Sequence, residues 1–293
     1  MTTTTGLLDP SSVRALATRL GLRPTKQRGQ NFVTDANTIR RLVALAGLGA
    51  DDVVCEIGPG LGSLTLGLLE QARHVLAIEI DPLLAGQLAD TVATRMPGAA
   101  ERLTVLEADA LAVPALPEPH PTVVVANLPY NVSVPVLLHL LAIDQHWSRG
   151  LVMVQLEVAD RLVAGPGSRT YGVPSVKMAW YAEAVRVGTV PPGVFWPVPN
   201  VDSGLVRLTR RPPPRTTATR EQVFAVVDAA FAQRRKMLRA ALSPLLGSSA
   251  AASTVLEAAG VDPQARGETL TVEDFARVAE QLPGRDGRSG AGR

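Results

Sequence analysis

The chain has 293 residues, more than one average domain, and 46% of them are hydrophobic, which is typical of a protein with a packed core. A single cysteine excludes a disulfide framework and a cysteine-rich zinc site, and it fits a reducing compartment. No apolar run approaches the roughly 20 residues needed to span a bilayer, and the Thr-rich N-terminus lacks a signal-peptide core. We therefore expect a cytoplasmic protein without membrane contact.

The net charge is only +2, but the basic residues are unevenly distributed. Residues 1–204 carry 15 Lys or Arg against 18 Asp or Glu, whereas residues 205–293 carry 14 against 9. Clustered arginines suit phosphate binding, because a guanidinium pairs two phosphate oxygens at once, although a cluster can also be a solvated helix face. The clusters consist of Arg207, Arg210, Arg211 and Arg215, followed by Arg234, Arg235, Lys236 and Arg239.

In chain order, two stretches with helical spacing of apolar residues come first, at 11–20 and 35–46. We expect them to form an N-terminal cap over the site that follows. Strand signals alternate with helical stretches after them, which predicts a mostly parallel sheet with helices on both faces. These strands end near Glu56, Glu79, Glu107 and Ala126, and further strands are predicted at 151–155, 185–190 and 205–208.

The first strand ends in a glycine-rich turn, Glu56-Ile-Gly58-Pro-Gly60-Leu-Gly62, which opens a helix. Glycines allow the backbone to approach a ligand closely, so a strand, such a turn and a helix predict a nucleotide-type site. Position 63, where a dinucleotide fingerprint has its third glycine, is Ser. Glycine turns also occur without ligands.

Two acids end the next strands. Glu79, 21 residues beyond Gly58, is placed to bind a ribose diol, and Asp109 could accept from an adenine amine. Either acid alone could instead cap the helix that follows it. Their succession at neighbouring strand ends favours a ligand site.

The fourth strand ends in Asn127-Leu-Pro-Tyr-Asn131. Pro129 stiffens this turn, Asn127 has a side-chain amide and Tyr130 has a flat aromatic face. These groups suit a planar ring with an exocyclic amine, because oxygens accept its N–H bonds while the phenol stacks on it. A strand-ending turn with a capping Asn is the alternative for the pentapeptide alone.

The order of these motifs resembles class I S-adenosylmethionine-dependent methyltransferases, in particular the KsgA/RsmA family of ribosomal RNA small-subunit adenine dimethyltransferases. The resemblance covers about Gly29 to Leu282. Besides the two turns described above, it depends on the segments Lys26–Val33, Phe195–Ser203 and Ala230–Lys236. It implies a seven-stranded, mostly parallel Rossmann-like α/β sheet with helices on both faces, plus a small all-α C-terminal domain.

The resemblance also implies a set of ligand-binding residues and a reaction. S-adenosylmethionine would be the cofactor, and two adjacent adenines near the 3′ end of small-subunit (16S) ribosomal RNA would be dimethylated at N6. The base-binding residues would be Asn127, Leu128, Pro129, Tyr130 and Phe195, with Phe195 covering the second face of the adenine. The cofactor-binding residues would be Asn31, Val33, Gly58, Gly60, Glu79, Ile80, Asp109 and Asn127.

RNA contacts are expected from Arg234, Arg235, Lys236 and Arg239. The four histidines show no metal-ligand spacing, and we expect no metal. We expect a monomer that acts on the small ribosomal subunit or its assembly precursor. The predicted domains are a methyltransferase domain with its helical cap at 1–210, a helical RNA-binding domain at 216–283 and a disordered tail at 284–293.

Three alternatives remain at this point. A large-subunit rRNA methyltransferase that confers antibiotic resistance shares the core, although such enzymes typically have Ile where this chain has Leu128. A non-catalytic assembly factor would have degraded glycine or Asn-Pro-Tyr motifs, and both are intact. A DNA adenine methylase fits the chemistry but not the flanking motifs.

Overall fold

The computed structural model describes residues 6–22 and 31–283. The predicted disordered tail at 284–293, and the part of the predicted N-terminal motif that precedes Asn31, lie outside these residues. Within the described ranges, no helix is both long and apolar enough to cross a membrane. Contacts divide the chain into two compact units.

The first unit draws its residues from Met1–Val163 and Tyr181–Arg211 and contains all the strands of the described chain. They are β1 (Phe32–Val33), β2 (Val53–Ile57), β3 (His74–Glu79), β4 (Leu103–Glu107), β5 (Val123–Asn127), β6 (Arg149–Gln155), β7 (Ala182–Val190), β8 (Phe195–Trp196) and β9 (Ser203–Arg210). Seven of them form one sheet, and β1 and β8 pair separately as a short antiparallel ribbon.

The order in the sheet is β4–β3–β2–β5–β6–β9–β7. The pairs from β4 to β6 are parallel, and β9 is antiparallel to both β6 and β7. The predicted seven-stranded, mostly parallel sheet is confirmed. Chain order reverses at β2, because β3 and β4 lie on one side of it and β5 lies on the other. An open α/β sheet binds ligands beyond the carboxyl ends of the strands at such a reversal.

The strands at the reversal are buried because their sequences are apolar runs. Every residue of β2 is buried, and so are Val123, Val124, Val125 and Ala126 of β5. This pattern is typical of parallel strands that helices cover on both faces. Glu56 is the one charged residue that β2 carries into this interior.

The α-helices of the first unit include the N-terminal pair that the sequence predicts. They are α1 (Pro10–Arg19), α2 (Ala36–Ala46), α3 (Ser63–Leu69), α4 (Pro82–Arg95), α5 (Ser133–Ile143) and α6 (Leu156–Leu162). The helices predicted at 11–20 and 35–46 are thus confirmed. Asp9, Asp35 and Asp81 cap α1, α2 and α4, because each side chain accepts a backbone N–H of the first helical turn.

The second unit draws its residues from Ala164–Trp180 and Pro212–Arg293, and its described part is helical. The helices are α7 (Val173–Tyr181), α8 (Arg220–Ala232), α9 (Leu238–Ala241), α10 (Ser243–Leu246), α11 (Ser249–Ala258) and α12 (Val272–Glu280).

Segment 164–180, with α7, joins the second unit, although the predicted first domain at 1–210 includes it. The Tyr171 hydroxyl donates to the Leu270 carbonyl at 2.7 Å, and Lys177 pairs with Asp228 at 2.7 Å. These contacts join residues far apart in the sequence, so no local pattern predicts them. The assignment of a methyltransferase domain and an RNA-binding domain stays a prediction.

Candidate active site

A cavity opens at the carboxyl ends of β2, β3 and β5, where the sheet order reverses. The glycine turn, the acid that ends β3 and the turn after β5 all reach it. Most of the predicted base-binding and cofactor-binding residues therefore come together. Of these two groups, Asp109 and Phe195 are the residues that do not line the cavity. The predicted residues that line it are Asn31, Val33, Gly58, Gly60, Glu79, Ile80, Asn127, Leu128, Pro129 and Tyr130.

The turn between β2 and α3 requires glycine. Gly58 and Gly60 have φ angles of +66° and +58°, in the left-handed region that L side chains rarely adopt. A Cβ atom on Gly60 would also lie 2.8 Å from Cε1 of Phe32. Ser63 follows in the same wall, and its buried hydroxyl has no hydrogen-bond partner among the described residues. The wall thus combines bare backbone with a hydroxyl that is free to bond a polar ligand.

Glu79 organises the wall between β3 and the glycine turn. Its Oε2 accepts the Gly60 N–H at 3.1 Å, and its Oε1 accepts the Asp81 N–H at 3.0 Å. Burial raises the pKa of Glu79, and these two backbone N–H groups oppose the rise. Each oxygen keeps a lone pair for a further donor, such as a sugar hydroxyl. Ile80, next in the chain, is 64% exposed and offers an apolar edge beside it.

Glu56 is a cavity residue to which the sequence assigns no role. It is 1% exposed, and Oγ1 of Thr65 donates to its Oε2 at 2.6 Å. Burial raises the pKa of Glu56 to about 8, the Thr65 bond lowers it, and the charge of Glu79 raises it further. The signal for this residue is a carboxylate at the end of an otherwise apolar run, Val53–Ile57.

Asn127 is held by a segment far away in the sequence. Its Nδ2 donates to the Asn31 carbonyl at 3.1 Å, which places the nitrogen of the amide against the N-terminal segment. No described residue donates to its Oδ1, so the oxygen is the atom that remains to accept. The next residue, Leu128, donates its N–H to the Met153 carbonyl of β6 at 3.0 Å. The turn is therefore fixed on both sides.

Tyr130 lines the cavity and is fixed at its far end. Its hydroxyl lies 3.0 Å from Oγ of Ser203, the buried first residue of β9. Partial burial raises the pKa of the Tyr130 phenol. The far end of the side chain is thus held in place before any ligand enters. Pro129 packs toward the glycine turn, where a Cβ on Gly58 would lie 3.8 Å from its ring.

Phe195 and Asp109 occupy positions that differ from the expected ones. Phe195 is 2% exposed and pairs with Val33 in the β1–β8 ribbon, so its ring face is covered in this structure. Asp109 is exposed, and its Oδ1 accepts the Leu111 N–H at 2.9 Å, which is the local capping bond considered above. The stacking role of Phe195 and the adenine contact of Asp109 stay predictions.

The predicted RNA-binding residues lie in the second unit, and all four are exposed. Arg234, Arg235 and Lys236 line a surface groove between α8 and α9. Arg234 differs from the others, because it pairs with Glu268 at 3.1 Å.

Among the described residues, His120, Asp144 and His146 form a group that the sequence does not predict, with ligand atoms within 4.8 Å of one another. The two imidazole rings stack face to face, with centroids 3.9 Å apart and an interplanar angle of 6°. Their in-plane lone pairs therefore lie in two separate, nearly parallel planes and do not converge on one point. We make no metal proposal for this group.

Comparison with known proteins agrees with this geometry. A family model described as ribosomal RNA adenine dimethylase matches residues 22–283. The chain is 68% identical over 283 residues to a ribosomal RNA small subunit methyltransferase A of Cutibacterium acnes, and the match covers 95% of each chain. It is 65% identical over 275 residues to the protein of the same name from Streptomyces coelicolor, which covers 94% of this chain and 96% of that one.

Solved structures show the same fold. A dimethyladenosine transferase from Plasmodium falciparum has a TM-score of 0.71 at 23% identity, and the match covers 84% of this chain and 95% of that one. The 23S rRNA methyltransferase ErmE has a TM-score of 0.62 at 30% identity, and covers 86% of this chain and 99% of that one. The chain belongs to the ribosomal RNA adenine dimethylase family, as its motifs indicate.

Proposed function

We propose that this enzyme dimethylates N6 of two adjacent adenines near the 3′ end of small-subunit ribosomal RNA, in the cytoplasm, during ribosome assembly. Relatives at 58% to 68% identity are named as small-subunit methyltransferases. The large-subunit enzyme ErmE is 30% identical, so the more similar chains favour the small subunit. The observation that carries the chemistry is the Asn127–Asn31 hydrogen bond, because it leaves the amide oxygen of Asn127 to accept.

S-adenosylmethionine is the methyl donor of such enzymes, and it supplies a sulfonium-bound methyl group for in-line attack. The cavity suits it on two observations: the bare glycine backbone at Gly58 and Gly60, and the buried unpartnered hydroxyl of Ser63. Glu79 would bind the ribose hydroxyls and Ile80 would pack on the adenine of the donor. The other residues proposed to hold it are Asn31, Val33, Asp109 and Asn127.

For the substrate base, Asn127 and Leu128 provide acceptors in a fixed turn. The N6 lone pair of adenine is conjugated with the ring, which makes the nitrogen a weak nucleophile. When the Asn127 Oδ1 and the Leu128 carbonyl accept the two N–H bonds, a more tetrahedral nitrogen is favoured. The same oxygens stabilise the positive charge that develops there during transfer, and fixed groups of this kind typically contribute 10²- to 10³-fold, or about 3–4 kcal/mol.

Tyr130 would stack on the adenine once the base has left its own stack. The bond to Ser203 anchors the far end of the side chain before the base binds, so the side chain loses less conformational entropy on binding. The proton would leave N6 after methyl transfer, when the nitrogen is far more acidic, so no dedicated general base is required. Positioning and acceptor geometry are therefore the chain's main contributions.

The test is methyl transfer from labelled S-adenosylmethionine to purified small ribosomal subunits that lack the modification, with large subunits alongside. Wild type and Asn37→Ala, a control at an exposed Asn of α2, should label small subunits as N6,N6-dimethyladenosine. Asn127→Ala should abolish labelling. Labelling of large subunits would indicate a large-subunit rRNA methyltransferase of the kind that confers antibiotic resistance. Tight binding to small subunits without labelling would instead indicate an assembly factor.

A further inference from the structure

The second unit carries a basic surface made from two segments that are distant in the sequence. One is the loop 164–172 before α7, and the other is the loop 233–237 between α8 and α9. The guanidinium of Arg234 joins them: its Nη2 donates to the Arg169 carbonyl at 2.6 Å, and its Nε pairs with Oε2 of Glu268 at 3.1 Å. A residue 65 positions away is thereby brought next to the predicted RNA-binding cluster.

Glu268 completes this junction from a third segment. Its backbone carbonyl accepts the Gly167 N–H at 2.8 Å, while its carboxylate holds Arg234. The Tyr171 hydroxyl bonds to the Leu270 carbonyl at 2.7 Å, which fixes the other end of the loop. The loop 164–172 is thus attached at Gly167, Arg169 and Tyr171, with Arg169 between the other two points.

The charges on this surface differ in whether they are neutralised. Arg234 already has a carboxylate partner and uses two of its nitrogens inside the unit. In the part of the chain that the structure describes, no carboxylate pairs with Arg169, Arg235 or Lys236, and all three are exposed. Exposed cations without carboxylate partners are suited to phosphate groups, because binding then breaks no internal ion pair.

We propose that Arg169 is an RNA phosphate contact that acts with Arg235 and Lys236, and that Arg234 is a positioning residue that holds the Arg169 loop beside them. This proposal rests on the proposed function, since rRNA is its polyanion. The three residues of the run Arg234–Lys236 thus have two different roles. Arg234 holds the loop in place, whereas Arg235 and Lys236 contact phosphate groups.

The first test measures binding of Arg169→Gln to small ribosomal subunits that lack the modification, across a salt series. Loss of one phosphate contact should weaken binding and reduce the slope of log affinity against log salt by about 1. Arg220→Gln is the control: it removes one positive charge that already has a carboxylate partner, Glu221 at 2.6 Å, from the opposite end of α8, about 18 Å along its 13 residues. If Arg169→Gln and Arg220→Gln behave alike, the proposal for Arg169 is overturned.

The second test separates position from charge at Arg234. Arg234→Lys keeps the charge but cannot reach both Glu268 and the Arg169 carbonyl with a planar fork. We expect faster amide hydrogen exchange in residues 164–172 and weaker subunit binding, with melting of the whole protein unchanged. Exchange and affinity equal to wild type would show that Arg234 supplies charge alone.

Methyl transfer is measured in the same preparations, so that a failure of the proposed enzymatic function can be distinguished from a failure of the proposed phosphate-binding surface. If wild type methylates small subunits and Arg169→Gln matches its control, only the surface proposal is wrong. If wild type binds with an Arg169-dependent salt slope but transfers no methyl group, the surface proposal stands and the enzymatic one is wrong.

Discussion

The hydroxyl of Tyr130 lies 3.0 Å from Oγ of Ser203, so the aromatic ring proposed to stack on the substrate is attached to the start of β9. The two residues are 73 positions apart. An aromatic side chain that is anchored at its far end keeps its position when no base is bound. The hydroxyl pair is therefore a part of the site although neither hydroxyl is proposed to touch the base.

Removal of this bond should reduce activity without affecting the methyl donor. We expect Ser203→Ala to lower kcat/KM for the RNA substrate by about five- to tenfold, since such a hydrogen bond contributes about 1 kcal/mol. The Kd for S-adenosylmethionine, measured by calorimetry, should stay unchanged. Tyr130→Phe should give a similar loss, and the double variant should lose little more, because both changes remove one interaction. Additive losses would contradict this account.

Gly60→Ala should distort the cavity wall that the glycine turn forms. Its φ of +58° disfavours a side chain, and the new Cβ would meet Phe32 at 2.8 Å. We expect the free energy of unfolding to fall by about 1–2 kcal/mol and the affinity for S-adenosylmethionine to fall by roughly tenfold, or about 1.4 kcal/mol. Chemical denaturation and calorimetry measure the two effects.

Gly86→Ala is the matched control for that prediction. Gly86 lies in α4 and has no positive φ, and a methyl group there would meet no other described part of the chain within 4 Å. Alanine there should raise stability by up to about 1 kcal/mol, because glycine is a poor helix former, and it should leave cofactor affinity unchanged. Loss of affinity in both variants would mean that Gly60 has no special place in the site.

Glu56 should make the stability of the ligand-free protein depend on pH. Burial raises its pKa to about 8 from an ordinary 4.5, so the folded state favours the protonated carboxyl. The stabilisation from that proton is complete below pH 4.5 and is lost as the pH rises toward 8. We expect the Tm of wild type to fall across this window more steeply than the Tm of Glu56→Gln, whose neutral amide still accepts from Thr65.

Thermal unfolding at a series of pH values checks this expectation. Glu70→Gln changes an exposed carboxyl just after α3 and serves as the control, with a profile parallel to wild type. Parallel profiles for wild type and Glu56→Gln would show that Glu56 is ionised in the folded protein throughout.

Asn127→Asp should test the orientation of the amide. Aspartate keeps the size and an acceptor oxygen but loses the donor to the Asn31 carbonyl, so two acceptors would face each other where 3.1 Å now separates donor and acceptor. We expect the single-turnover methyl transfer rate to fall by about 10²-fold or more. Asn37→Asp, at the exposed start of α2, should keep the wild-type rate. A wild-type rate in Asn127→Asp would show that the bond to Asn31 has no part in catalysis.

Much of the fold follows from local sequence patterns. The strand β5 is a continuous apolar run, β2 is apolar except for Glu56, and each ends in the turn that the sequence predicts, at Gly58 and at Asn127. The spacing of apolar residues within one element and the turn residues at its end are local signals. The side chains at successive carboxyl ends then meet because parallel strands share one edge.

What local patterns could not predict depends on contacts between distant residues. The segment 164–180 interrupts the first unit in the sequence, yet Tyr171 bonds to Leu270, with which it lies in the second unit. The cavity role of Ser63 depends on the missing partner of its hydroxyl, and the burial of Phe195 depends on its pairing with Val33. A motif gives the type of a residue, whereas its partners appear only when the chain is folded.

The β1–β8 ribbon links the two halves of the proposed site. Val33, proposed for the cofactor side, and Phe195, proposed for the base side, are register partners. The Thr34 N–H and hydroxyl both donate to the Val194 carbonyl, at 2.8 and 3.0 Å. A shift of either strand when one reactant binds would move the other strand with it. A variant in either strand is therefore expected to change the kinetic constants for both reactants.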